Sequence, residues 1–336
     1  MRHIIIGTGA VGGVIGGLLA SVGTDVVLVA RGPQLAALRA SGLEVTTVAG
    51  TVRVRPALAA GPDDVDLRPD DVLVLAVKSQ DTADALDAWA DRPVAGGGTA
   101  AERLAVVCAQ NGVDNERAAL RRFAHVVAMC VWLPATYLEP GRVSAGGTPV
   151  PGVLTVGHAA TPPADGPALL TAYARDLVDA GFRAPVATDV MAWKYTKLLT
   201  NLANAVEALC GPLRDDDTLE LAARADAEGR AVLRAAGLVA LDDAVHDAAR
   251  AGFRVEALAG QERGGGSSWQ SLARGTGSIE SDYLNGEIVL LGRLHGVPTP
   301  VNALLQRRAR AAAATGRPPG AVAARDLLAA AAGRET

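Results

Sequence analysis

Gly7-Thr8-Gly9-Ala10-Val11-Gly12 stands directly after a short apolar run, Arg2–Ile6, and opens an amphipathic stretch, Ala10–Ser21. In a G-x-G-x-x-G between strand and helix, the glycines permit a tight turn, close backbone approach to a pyrophosphate and close helix–strand packing. The helix N-terminus adds free N–H groups and a positive dipole end. The plainer alternative is a glycine-rich turn without a ligand. An NAD site places an Asp or Glu about 20 residues on, at the end of the second strand. Here that strand runs Val26-Val27-Leu28-Val29-Ala30-Arg31, with no carboxylate at its end. The Arg31 fork suits a 2′-phosphate instead, which favours NADP, unless Arg31 is simply solvated. Lys78 follows the run Val72–Val77, and Asn111-Gly112 follows Leu104–Ala109. Both fall at the carboxyl edge of the expected sheet, where ligands bind in this fold, or are ordinary turn residues.

A second group is spaced for a helix. Lys194, Lys197, Asn201 and Asn204 recur at three and four residues and so share one helix face. Such a face is either a solvent face or, since its flanks are unusually apolar, one that needs polar company or a ligand. A lysine there can act as a general acid, protonating an alkoxide as hydride arrives. Burial and neighbouring cations would lower its pKa towards the working range.

The elements that must position these groups divide the chain in two. In the first half, short apolar runs alternate with amphipathic stretches, the pattern of a doubly wound parallel sheet. Strands are expected at Arg2–Ile6, Asp25–Val29, Val72–Val77, Leu104–Ala109 and Val126–Cys130, with a hairpin in Leu43–Arg55 and a β excursion over Gly141–Gly157. Helices are expected at Ala10–Ser21, Pro33–Ala40, Thr82–Ala90 and Asn115–Arg122. Pro33 suits a first turn and Gly42 a helix stop. Beyond Ala187–Asp189 the spacing is helical, at Asp189–Cys210, Asp216–Ala236, Asp242–Ala251, Ile279–His295, Val301–Ala314 and Gly320–Ala331. Gly264-Gly265-Gly266 breaks that half. The reading is an α/β dinucleotide-binding domain, 1–187, followed by an all-α domain, 188–336.

Composition agrees with a globular protein of two domains: 336 residues, half of them hydrophobic, with a net charge of −4. No basic excess points to nucleic acid. No apolar stretch reaches the roughly 18 to 20 residues of a membrane span, and no signal peptide is evident, so a cytoplasmic location is expected. Cys108, Cys130 and Cys210 lack the spacing of a disulfide framework or zinc site, and no metal is expected.

Several motifs together resemble the ketopantoate reductase (2-dehydropantoate 2-reductase) family over nearly the whole chain. They are Gly7–Gly12, Gln110-Asn111-Gly112, Lys197-Leu198-x-x-Asn201, Ser267-Ser268 twelve residues before Glu280, Asp282-Tyr283-Leu284-Asn285-Gly286, and His295-Gly296-Val297-Pro298-Thr299-Pro300-Val301-Asn302. The resemblance implies a Rossmann-type domain and an all-α domain similar to the C-terminal domain of 6-phosphogluconate dehydrogenase. It implies Lys197 as proton donor, Glu280 as the acid that holds the substrate hydroxyl and supports the lysine, and Ser268 as a contact to the substrate carboxylate. Asn201 is implied as a substrate-binding residue, with Asn204 the nearest candidate for a second, and Asn111 as lying between cofactor and substrate. Gly7, Thr8, Gly9, Ala10, Val11 and Gly12 are implied as NADPH contacts, with Arg31 and Lys78 as phosphate partners. On the residues alone, Glu280 could instead cap or decorate a helix, and Ser267-Ser268 could be an N-terminal cap.

The sequence departs from the family pattern at Ala205 and Gly265, where asparagines are usual, and at Trp269 and Leu272, where Met and Asp are usual. These are substrate-pocket positions, so the chemistry is better founded than the substrate. The expected activity is NADPH-dependent reduction of a 2-keto acid, with 2-dehydropantoate leading, bound in a cleft between the domains. The rival within enzymes is reduction of a different keto acid or an imine. The rival of another class is a nucleotide-responsive sensor without catalysis, against which Lys197, Ser268 and Glu280 speak. A homodimer, where one forms, is expected to use the helical domain.

Overall fold

The computed structural model describes residues 1–258, 265–275 and 277–333, with Asp243 by its backbone alone. Its strands are β1 Arg2–Ile6, β2 Asp25–Val29, β3 Leu43–Thr47, β4 Gly50–Val54, β5 Ala57–Ala59, β6 Asp71–Leu75, β7 Ala105–Cys108, β8 His125–Trp132, β9 Ala135–Glu139, β10 Arg142–Ala145, β11 Gly147–Thr148, β12 Val153–His158 and β13 Arg254–Val255. Its helices are α1 Ala10–Ser21, α2 Gly32–Ser41, α3 Thr82–Ala90, α4 Ala100–Arg103, α5 Asp114–Leu120, α6 Gly166–Asp179, α7 Val190–Asn201, α8 Ala203–Cys210, α9 Asp216–Ala235, α10 Asp243–Ala249, α11 Ser267–Ala273, α12 Asn285–His295, α13 Pro300–Ala314 and α14 Ala324–Ala332.

The described residues form two compact units: 1–110 with 115–193 and 244–258, and 111–114 with 194–243, 265–275 and 277–333. In the first, seven strands run in the order β12-β8-β7-β6-β1-β2-β5. Ile4, Ile5 and Ile6 are buried on both faces of β1, as a parallel strand under two helical layers requires. Val14, Ile15 and Leu18 of α1 and Leu170, Tyr173 and Leu177 of α6 cover one face. Leu86 and Trp89 of α3, with Phe123, cover the other. The chain winds from β1 to β2 and β5, then returns to β6 on the opposite side of β1, so the winding direction reverses beside β1. Ile6 pairs with both Val29 and Leu75, which aligns the strand ends that release Gly7, Ala30 and Ala76. A smaller sheet, β4-β3-β10-β9, contains the expected hairpin and part of the β excursion.

Three expectations for the helical half need correction. Asp189–Cys210 is not one helix. It breaks at Leu202, whose N–H is shared between Leu198 O (3.1 Å) and Leu199 O (3.2 Å). Ile279–His295 begins as a 3-10 turn, Glu280–Asp282, and Leu284 separates that turn from α12. Helix α14 starts at Ala324, past Gly320, which sits at φ +75°. Gly264 of the glycine break lies outside the described residues.

In the second unit α12 packs against α9 and α13, and α14 against α9. A buried polar chain pins them. The Glu228 carboxylate accepts from Val301 N (2.8 Å), Asn302 N (2.9 Å) and Asn302 Nδ2 (2.8 Å). Asn302 Nδ2 also donates to Ala225 O, while its Oδ1 accepts from Asn285 Nδ2 at 3.0 Å. Asn285 Nδ2 reaches on to Leu202 O (3.1 Å), the carbonyl at the α7–α8 break.

Candidate active site

The turn after β1 assigns each glycine a different task. Gly7 lies at φ +99°, and a Cβ there would stand 2.8 Å from Val77 N. A Cβ on Gly12 would stand 2.2 Å from Gly7 O and 2.9 Å from Ala76 Cβ. Both positions are closed by packing. A Cβ on Gly9, by contrast, would meet nothing within 4 Å, so this side of the loop is open to an incoming group. Thr8 Oγ1 donates to Val29 O (3.0 Å) and Gln34 Nε2 donates to Thr8 O (2.9 Å), which fixes the turn from beneath. Helix α1 carries no acidic residue in its first turn, and its N-cap is Gly9, without a side-chain acceptor. The first-turn N–H groups at Ala10 and Val11 are therefore available for an anion. The donor set and the open face at Gly9 fit a dinucleotide pyrophosphate.

Arg31 is exposed at the end of β2 and serves as N-cap of α2; Nε makes a long contact of 3.5 Å to Ala60 O. Lys78 is half-buried and leads into a 3-10 turn, Ser79–Asp81. The loops after β6 and β7 are joined by Gln110, whose Nε2 donates to Val77 O (2.9 Å) and Thr82 Oγ1 (2.8 Å). Thr82 donates in turn to Asn115 Oδ1 (2.7 Å). Gln110 is thus a brace for the loop bearing Lys78, a role its position in the motif did not announce.

In the second unit, the polar face of α7 is not a solvent face. Lys194 and Asn201 are each 3% exposed, and Lys197 is half-buried between them. Asn201 Nδ2 donates to Asn111 Oδ1 at 3.4 Å, bringing together two of the expected substrate residues. Asn204 falls beyond the Leu202 break, in α8, half-buried. Ser268 is buried in the first turn of α11, whose N-cap is Gly266, so the cap reading of the two serines is set aside. Glu280 is buried in the 3-10 turn before α12 rather than on a helix. That turn is held to α13 by Gln306 Nε2 on Asp282 Oδ1 (2.7 Å). Asn111, Lys197, Asn201, Asn204, Ser268 and Glu280 all belong to the second unit, whereas the glycine loop, Arg31 and Lys78 belong to the first.

Comparison with known proteins gives the family. Residues 3–160 match the family described as ketopantoate reductase PanE/ApbA, and residues 189–313 match its C-terminal family. The 2-dehydropantoate 2-reductase of Mycobacterium tuberculosis is 31% identical over 308 residues, covering 90% of this chain and 94% of that protein. That of Archaeoglobus fulgidus is 30% identical over 318 residues, covering 90% and 95%. The structure of a PanE/ApbA family ketopantoate reductase from Ralstonia eutropha JMP134 superposes with a TM-score of 0.76 at 27% identity, covering 94% of this chain and all of that one. A D-mandelate dehydrogenase solved with NADH and anilino(oxo)acetate shares the fold, with a TM-score of 0.77 at 19% identity and coverage of 94% and 99%. The chain belongs to the ketopantoate reductase family of oxidoreductases.

Proposed function

We propose that the chain reduces 2-dehydropantoate to pantoate with NADPH, in a cytoplasmic route to pantothenate. The observation that carries this reading is the polar face of α7, with Lys194 and Asn201 buried and Lys197 between them. A lysine held among such groups can deliver a proton or hold a ligand. Bound NADPH supplies the hydride. Lys197 protonates the carbonyl oxygen as negative charge develops there, and Glu280 holds the resulting hydroxyl and orients the lysine. Ser268 donates to the substrate carboxylate. Asn201 and Asn204 orient the keto acid, and Asn111, bonded to Asn201, stands between cofactor and substrate. The loop Gly7–Gly12 and the α1 N-terminus hold the pyrophosphate, with Arg31 and Lys78 on phosphate oxygens. The cofactor half is 1–187 and the substrate half 188–336.

Arg31 decides the cofactor in this account. Arg31→Ala is expected to raise KM for NADPH about tenfold or more, the worth of a charge-assisted hydrogen bond, while KM for NADH moves less than about twofold. Equal effects on both cofactors would remove Arg31 from the 2′-phosphate.

A second reading, reduction of a different 2-keto acid or an imine, is favoured by one observation. Gly265 lies at φ +100°, and a Cβ there would stand 2.8 Å from Trp269 Cγ. The family asparagine therefore cannot return at position 265 while Trp269 keeps its place, so the two departures form one rebuilt corner. NADPH oxidation with 2-dehydropantoate, beside 2-keto acids lacking its hydroxymethyl group, separates the readings. Highest kcat/KM with 2-dehydropantoate supports the first; a better substrate among the others supports the second.

A further inference from the structure

Glu207 plays no part in the mechanism above, yet it touches the segment that carries the substrate serine. It continues the polar face of Asn201 and Asn204 along α8, three residues beyond Asn204. Its Oε2 accepts from Gly266 N at 2.8 Å. Its Oε1 lies 3.2 Å from where a Cβ on Gly265 would begin, and Trp269 Cγ lies 2.8 Å from the same point. The Gly265 carbonyl is held separately, accepting from Gln270 Nε2 at 3.3 Å. The two residues that lead into α11 are thus tied on one side by Glu207 and on the other by Gln270. Ser268 follows Gly266 by two residues and is buried.

We propose that Glu207 is a positioning residue for Ser268, setting through Gly266 N–H the attitude at which the serine hydroxyl meets the substrate. A side-chain oxygen that accepts from a backbone N–H fixes that amide, and with it the turn it opens. It also accounts for the glycine at 265. Left-handed backbone and the space taken by Glu207 and Trp269 leave no room for a side chain there. The departures at Gly265 and Trp269 are then parts of one device with Glu207 at its centre. The inference rests on Ser268 as the substrate contact, and the test keeps the two claims separate.

Two variants divide the possibilities. Glu207→Gln keeps an acceptor oxygen in the same place; Glu207→Leu keeps bulk without it, and both residues are good helix formers, so α8 is retained. Glu207→Asp, which draws the oxygen back by one methylene, replaces E207L if that protein does not fold. The first readout, on protein without cofactor, is hydrogen exchange at the Gly266 amide itself, followed by NMR. Exchange at Gly266 is expected to accelerate about tenfold or more in E207L and to stay within about threefold of wild type in E207Q. The second readout is steady-state kinetics with NADPH and 2-dehydropantoate. KM for the keto acid is expected to rise about tenfold in E207L, with kcat within about threefold, NADPH affinity unchanged, and E207Q restoring KM. Wild-type exchange in E207L overturns the proposal. So does an E207Q as impaired in KM as E207L, since charge towards the substrate, not an acceptor for Gly266, would then be the requirement. A wild-type enzyme inactive on 2-dehydropantoate defeats the pantoate reading, while the exchange measurement still decides the clamp.

Discussion

At the scale of the residue, the glycine loop separates stability from binding. Gly12→Ala places a methyl group against a backbone carbonyl, Gly7 O, which has little freedom to move. It is expected to cost about 1–3 kcal/mol or more in denaturant unfolding. Gly9→Ala meets no atom and keeps an extended backbone, φ −86° and ψ −151°. Its stability is expected to stay within about 0.5 kcal/mol of wild type, while NADPH affinity, followed by fluorescence titration, falls about tenfold or more. A Gly9→Ala protein that binds NADPH normally would show that the open face is not the cofactor's. The glycine pattern was legible because its spacing between strand and helix encodes a backbone requirement. Gln34, which supports Thr8 O, and Gln110, which braces the Lys78 loop, were not, because each acts through a partner distant in sequence.

At the scale of the element, β1, β2, β6, β7 and β8 match their expected runs to within two residues at each end, since continuous Val and Ile runs bounded by glycine and charge leave little choice, whereas β5 and β9 carry no such run and were not expected. The helical half was read in type but not in its interruptions. Leu202 and Leu284 are apolar residues inside apolar periodicity, and nothing local marks a break at either. The break at Leu202 is instead met from outside, by Asn285 on Leu202 O, with Asn285 itself held by Asn302. Asn302→Ala removes the donor to Ala225 O and the acceptor for Asn285 from a fully buried site. It is expected to lower unfolding free energy in urea by at least about 1–3 kcal/mol. An unchanged midpoint would mean that helix packing alone holds the break. The asparagines of the Asp282–Gly286 and His295–Asn302 motifs thus gain a structural reason for their place in the resemblance.

At the scale of the whole molecule, residues 244–258 return to the first unit, against the expectation of a helical half running from 188 to the end. There β13 pairs with β11, Arg183 Nη1 donates to Ala249 O (3.1 Å) and Ala251 O (3.2 Å), and Arg250 lies 3.9 Å over the Trp132 ring. Composition carries no sign of such a return, which depends on tertiary partners. Another whole-molecule property follows from His125 and His158, whose ring nitrogens lie 3.3 Å apart across β8 and β12. Burial lowers both pKa values, and for His125 the neighbouring His158 lowers it further against a rise from Asp165. In the unfolded chain both take up protons near pH 6.5, whereas the folded chain does so only at lower pH. The stability held above that pH is therefore expected to decline as pH drops below about 6.5, and to keep declining until the folded values are passed. Unfolding midpoints between pH 8 and pH 5 check this, with a shallower decline expected in His158→Gln; an identical decline would place the pH dependence elsewhere.

The central claim is that Lys197, on the buried polar face of α7, delivers the proton that accompanies hydride transfer. The most direct test is NADPH oxidation on adding 2-dehydropantoate to the wild-type protein and to Lys197→Ala, with NADPH binding measured in both. Turnover is expected in the wild type, with a loss of about 100-fold or more in kcat in the variant, as for removal of a general acid, and unchanged NADPH affinity. Wild-type turnover that survives in Lys197→Ala at a similar kcat would contradict it.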